Sequence, residues 1–142
     1  MNALIAYSSG LGSTKEVAEE IAKVIDKDDS INVDLKAVDD VDDIENYDAI
    51  IVGSSVRADR PLANVRDFFA RYRHILPKKK TALFAVCLSA NCKSGQDKVK
   101  DEYLSQITEK YPELNPILLG AFGGKIDFEQ LNPVMKMLME KV

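Results

Sequence analysis

Tryptophan is absent from this 142-residue chain, histidine occurs once and cysteine twice. Two cysteines exclude a disulfide framework and cannot by themselves close a four-ligand zinc site. The lone histidine, His74, falls at the end of a helical pattern, where capping is its expected role, so acid–base catalysis by imidazole is not expected. No apolar run approaches the roughly 20 residues of a membrane span, and the N-terminus lacks the charged-then-apolar pattern of a secretory signal. Basic residues are not in excess either. Lys plus Arg number 19 against 23 Asp plus Glu, a net charge of −4, which speaks against nucleic acid or an anionic membrane surface as partner. The remaining composition, 46% apolar and 30% charged, is that of a globular protein with enough apolar residues for one core. The expectation is a single cytoplasmic domain, residues 1–142, with no membrane span.

The acids are concentrated. Between Asp26 and Asp48 ten carboxylates face only Lys27 and Lys36, so this stretch is far more negative than the chain as a whole. Such a run reads first as a solvated face, and second as a surface that steers a basic partner by attraction that weakens with salt.

Apolar periodicity switches repeatedly along the chain. Ala3 to Tyr7 is a short buried strand ending at Ser8, Ser9 and Gly10. From Ser13, a capping-box serine with Glu16 three residues on, Val17, Ala18, Ile21, Ala22 and Ile25 mark a helix. Ile31, Val33, Leu35 and Ala37 alternate with polar residues, as in a strand at a sheet edge, whereas Ala49 to Gly53 is continuously apolar, as in a central one. Leu62, Val65, Phe68, Phe69 and Tyr72 predict the next helix, ended near Pro77, and Thr81 to Leu88 the fourth strand. Val99, Tyr103, Ile107 and Tyr111 predict a helix, Ile117 to Ala121 a fifth strand, and Phe128, Leu131, Met135, Leu138 and Val142 a last helix. Strands alternating with helices imply parallel βαβ units, and the edge-like second strand beside interior-like first, third and fourth strands suggests the order 2-1-3-4-5. The fold class is α/β: a three-layer, doubly wound, five-stranded parallel sheet.

In such a sheet ligands bind outside the carboxyl ends of the strands, where the strand order reverses. Three loops reach that place: Ser8 to Thr14, Ser54 to Pro61, and Ser89 to Gln96. The first, Ser8-Ser9-Gly10-Leu11-Gly12-Ser13-Thr14, joins a buried strand to a helix N-terminus. Hydroxyls, glycines and unpaired helical N–H groups together suit a phosphate. No Walker loop spacing occurs, and the acids of a phosphoryl-accepting receiver are missing after the first and third strands. A dinucleotide fingerprint begun at Gly10 and Gly12 has Lys15 at its third glycine position, but Asp39 stands at the end of the second strand where the ribose acid belongs. That reading stays open beside a mononucleotide.

For the mononucleotide reading, the residues carry a resemblance. Ser-Ser-x-x-Gly-x-Thr-x-x-Val-Ala, at Ser8 to Ala18, resembles the FMN-phosphate loop of flavodoxin-like proteins. Tyr47 to Arg57, YDAIIVGSSVR, resembles a stretch found in the branch that includes the menaquinone-dependent protoporphyrinogen dehydrogenases. The similarity extends from Ala3 to about Ala121. It implies FMN as cofactor, with the phosphate held in the segment Ser8, Ser9, Gly10, Leu11, Gly12, Ser13 and Thr14. By the same resemblance, Ser54, Ser55, Val56 and Arg57 flank the flavin ring from one loop, and Leu88, Ser89, Ala90, Asn91 and Cys92 from the other. Asp59 stands where the branch commonly has glycine, and Asp tolerates the positive φ such a turn requires.

Neither ring loop contains an aromatic residue. Electron-carrier flavodoxins generally sandwich the ring between aromatics, so a less enclosed ring leaves room for a flat substrate or quinone. Arg57 is either a guanidinium for a flat ring or anion, or an exposed residue paired with Asp59. Cys87 reads as a packing residue; Cys92, on the ring loop, is the alternative candidate for a reactive thiol. The chain ends directly after the last helical stripe, without the basic insertion of the protoporphyrinogen-oxidising relatives. The expected function is electron transfer between redox partner proteins through a noncovalent flavin. The alternatives are a two-electron oxidoreductase acting on a planar substrate or quinone, and an interaction module that has lost its flavin.

Overall fold

The computed structural model describes residues 1–8 and 13–123. Strands β1 (Asn2–Ser8), β2 (Asn32–Ala37), β3 (Ala49–Arg57), β5 (Lys80–Val86) and β6 (Leu118–Phe122) form one parallel sheet in the order β2-β1-β3-β5-β6. This is the expected doubly wound order. The alternating second strand lies at the edge, its odd-numbered residues half-buried and its even-numbered ones exposed. The central strands β1 and β5 are buried along nearly their whole length and β3 from Ala49 to Ser54, as their apolar runs require. The predicted last helix, Phe128 to Val142, lies outside the described residues.

Helices cover both faces. Helix α1 (Ser13–Asp26) places Val17, Ala18, Ile21 and Ile25 against Ala3, Ile5, Ile51 and Phe84. On the opposite face α2 (Ala63–Arg71) and the helical stretch from Lys93 to Lys110 cover Leu4, Ile50, Val52 and Leu83. Side chains of one strand alternate between these two cores because successive residues point to opposite faces.

Two elements differ from the sequence expectation. Strand β3 does not stop at Gly53: it runs on to Arg57 and turns back as a two-residue strand β4 (Arg60–Pro61), with Val56 opposite Pro61 and Arg57 opposite Arg60. The turn residues Ala58 and Asp59 both have positive φ, 52° and 60°, the signature of a two-residue hairpin whose twist matches its strands. The segment expected to be a loop is therefore a hairpin. Fewer than expected are the residues of α2, which ends at Arg71 with Tyr72 as its C-cap, so His74 lies beyond the helix and does not cap it. The His74 ring nitrogen Nε2 instead accepts a hydrogen bond from Arg73 Nε at 3.2 Å.

The helical stretch after β5 has three parts: α3 (Lys93–Lys98), a wide i→i+5 segment (Val99–Leu104) and α4 (Ser105–Lys110). A stripe repeating every four residues drifts around an α-helix of about 3.6 residues per turn. The wider turn removes that drift, and Val99, Tyr103 and Ile107 are all buried.

Ahead of β3, the Tyr47 hydroxyl donates to Asp34 Oδ2 at 2.6 Å, tying the acidic loop to the edge strand. Burial first, and then this hydrogen bond, push the Tyr47 phenol up to about 12. The fold thus favours the protonated phenol. Its contribution to stability is complete below the ordinary tyrosine value of about 10 and is lost as pH rises towards about 12. An ultraviolet phenolate titration should show one tyrosine ionising near the top of the range, and Tyr47→Phe should remove that step.

Candidate flavin cleft

The carboxyl ends of β1, β3, β5 and β6 meet the start of α1 at one rim of the sheet. There Ser13, Ser55, Val56, Val86, Cys87, Leu88 and Gly123 enclose an open cleft of ≈ 300 Å³. Four of these, Ser13, Ser55, Val56 and Leu88, are residues expected at the site from sequence.

Beneath the cleft a set of hydroxyls stitches the elements together. Thr14 is fully buried, and its Oγ1 shares a 2.5 Å hydrogen bond with Ser55 Oγ, joining the start of α1 to β3. Ser8, also buried, donates to Asn64 Oδ1 at 2.6 Å and so fixes the end of β1 to α2. The Ser54 hydroxyl donates to the Ser55 carbonyl at 2.7 Å and accepts from the Leu62 N–H at 3.0 Å, holding the hairpin against the start of α2. Four expected site hydroxyls, those of Ser8, Thr14, Ser54 and Ser55, are thus engaged within the protein, and of these Ser55 alone lines the cleft. Arg57 is exposed at the head of the hairpin and has no ion-pair partner among the described residues; the Asp59 carboxylate accepts instead from the Tyr103 hydroxyl at 3.0 Å. That hydrogen bond, with burial, raises the Tyr103 phenol above its ordinary value.

The third wall is a tight turn, Leu88–Asn91, followed by α3. Leu88 is 80% exposed, an unusual position for a large apolar side chain, and it stands on the cleft. Ala90 is buried, and the Asn91 side chain packs over Gly123, joining this turn to the end of β6. Ser89 Oγ lies 3.2 Å from Cys87 Sγ. Cys92 is exposed; the Ser94 hydroxyl and then the Gly95 N–H hold its thiol below the ordinary value. Ser9, Gly10, Leu11 and Gly12 lie outside the described residues.

Four contributors escaped the sequence reading: Val86 and Cys87, which read as buried strand residues, Gly123 and Asn64. Gly123 follows β6, so a glycine at a strand's carboxyl end was a visible signal. Asn64 gave none, because its partner Ser8 is 56 residues away. The acids Asp39 and Asp40 sit directly after β2 on the same rim, with Asp39 Oδ2 3.5 Å from Asn64 Nδ2.

The cleft chemistry fits a flat ring carrying a phosphate. Val56, Val86 and Leu88 supply apolar walls for a ring, while Ser13 opens a 14-residue helix whose first N–H groups and dipole favour an anion. An open, doubly wound sheet with such a cleft at its switch point defines a class of α/β nucleotide-binding proteins.

Within that class, the flavodoxin domain model matches residues 4–142, and the chain belongs to the flavodoxin domain family. That membership implies FMN as the cofactor. No curated protein sequence matches the chain. Among solved structures, a flavodoxin from the domain Archaea is 25% identical, with a TM-score of 0.68, covering 96% of this chain and 93% of that one. Flavodoxin 1 from Bacillus cereus, in its oxidised form, is 24% identical, with a TM-score of 0.66 and the same coverages, 96% and 93%. The two-electron reduced flavodoxin of Megasphaera elsdenii is 17% identical and superposes with a TM-score of 0.75 over 95% of this chain and 96% of its own. No helix among the described residues is long and apolar enough to cross a membrane.

Proposed function

We propose that the protein carries electrons between redox partners through a noncovalent FMN seated in the strand-end cleft. The observation that carries this reading is the convergence of Ser13, Ser55, Val56 and Leu88 on one cleft at the switch point of the sheet. The bound flavin supplies the redox chemistry, accepting and releasing electrons. The chain's own residues bind and orient it. The start of α1, with Ser13 and the preceding segment Ser9–Gly12, holds the phosphate. Thr14 and Ser55 brace the start of α1 against β3. Val56 and Leu88 exclude water from the ring, and the hairpin bearing Arg57 borders it. The carboxylates Asp39 and Asp40 on the same rim favour a basic partner protein.

A second reading, a two-electron oxidoreductase related to the protoporphyrinogen dehydrogenase branch, draws support from one observation. No aromatic side chain lines the cleft among the described residues, so a planar substrate or quinone has access to a ring held there.

One experiment separates the readings. FMN is added to the purified protein, bound flavin is followed by its visible bands, and the complex is reduced stepwise without oxygen. Reduction in resolved one-electron stages supports the carrier; passage directly to the two-electron level supports the oxidoreductase; no binding overturns both. Thr14→Val is expected to weaken FMN about fivefold, since it removes a hydrogen bond worth about 1 kcal/mol that holds the start of α1 to β3. A fluorescence titration giving wild-type affinity would remove Thr14 from the site.

A further inference from the structure

We propose that a second cleft, between α2, the β3–β4 hairpin and α4, binds a small organic dianion. Its volume is ≈ 180 Å³, and it shares no lining residue with the strand-end cleft. Arg60, Arg66 and Lys110 line it, opposed by a single carboxylate, Asp67. None of the three cations is ion-paired to a carboxylate among the described residues. In a chain of net charge −4, cations in excess of acids by two within one cleft call for a doubly negative ligand.

The cleft is also built to receive something larger than a bare ion. Buried Phe69 and Ile107 and half-buried Tyr111 form part of its wall, giving an apolar surface beside the charges. Arg66 is half-buried, and its Nε donates to the Pro61 carbonyl at 3.3 Å, which pins the guanidinium while leaving its terminal nitrogens for an anion. Lys110 Nζ stands over the Tyr111 ring, 5.7 Å from its centroid, so the ammonium and an aromatic surface meet at the cleft. The ligand matching this lining has two negative charges on a compact apolar or aromatic body. A phosphate monoester and a dicarboxylate share that chemistry.

Occupancy would be felt at the hairpin. Arg60 pairs with Arg57 across it, and Gln106, another residue of the cleft, donates from Nε2 to the Asp59 carbonyl at 2.7 Å. The dianion site thus adjoins the turn that borders the strand-end cleft, while remaining separate from it.

The test is a titration of the FMN-supplemented protein with phenyl phosphate and, separately, with phthalate, read by backbone amide NMR shifts. Saturable shifts centred on Arg60, Arg66, Gln106 and Lys110 are expected. The tighter of the two probes assigns the ligand as phosphate or dicarboxylate. Lys110→Gln, at an exposed position, should weaken binding about tenfold, the loss of one charge-assisted hydrogen bond. Arg66→Gln should do the same, and Lys110→Gln keeps the test valid if loss of the Pro61 contact disturbs the fold. Absence of saturable shifts for both probes, or affinities unchanged in Lys110→Gln, would overturn the site. Inorganic phosphate binding as tightly as phenyl phosphate would overturn the organic character of the ligand. Because the shifts are read residue by residue, failure of FMN to bind at the strand ends is seen separately and leaves this outcome legible.

Discussion

Gly95→Ala is expected to destabilise the protein by about 3 kcal/mol and to weaken FMN binding about tenfold or more, because overpacking against backbone cannot be relieved by a rotamer change. Gly95 lies in α3, directly against the turn Leu88–Asn91 that forms one wall of the strand-end cleft. A Cβ at this position would fall 1.4 Å from the Ser89 carbonyl oxygen and 2.5 Å from its carbon. Both are main-chain atoms, so either α3 or the turn must move. The Gln96 side chain, which donates to the Ala90 carbonyl at 3.2 Å, and the Gln96 N–H, which donates to the Cys92 carbonyl at 2.9 Å, would be displaced with them. Urea unfolding measures the first effect and a flavin fluorescence titration the second. Wild-type values in both would mean that the helix and the turn do not pack as described.

Phe84 gives the second large effect. Its ring lies across Gly53, its register partner on β3, where a Cβ would come 2.0 Å from Phe84 Cζ, and it meets Phe122 edge-on at 5.9 Å. Phe84→Ala should cost about 3–5 kcal/mol, the price of emptying a buried aromatic site. Gly53→Ala should cost about 1–3 kcal/mol by forcing the ring aside. In the double variant the added methyl enters the space the ring has left. The combined loss should therefore fall below the sum of the single losses by at least about 1 kcal/mol, a coupling characteristic of residues in contact. Additive losses in denaturant unfolding would contradict the packing of this ring on Gly53.

Much of this was legible in the sequence. The unbroken apolar runs of β1, β3 and β5 and the alternation of β2 carry the burial of each strand, and burial carries the order of the sheet. The serine- and glycine-rich sequence ahead of α1 points to the strand-end rim without any knowledge of neighbouring strands. Less was legible where a residue's role depends on a partner far along the chain. Ser8, Ser54 and Thr14 read as ligand-binding hydroxyls, but only the folded chain reveals that Asn64, Leu62 and Ser55 occupy their hydrogen bonds. The hairpin after Gly53 is not legible in the sequence because its apolar pattern breaks at Ser54 while its backbone pairing continues, and a pairing of two residues leaves no periodicity to read.

Local periodicity and turn chemistry thus determine which segments become strands and helices, and hence the topology and the rim where a ligand belongs, since both depend on near neighbours and on how much of each face must be buried. Whether a hydroxyl faces the cleft or braces it, that Gly123 closes one side, and that Arg60, Arg66 and Lys110 meet in one cleft were decided only in three dimensions. Those contacts join residues dozens of positions apart, and no local preference encodes them.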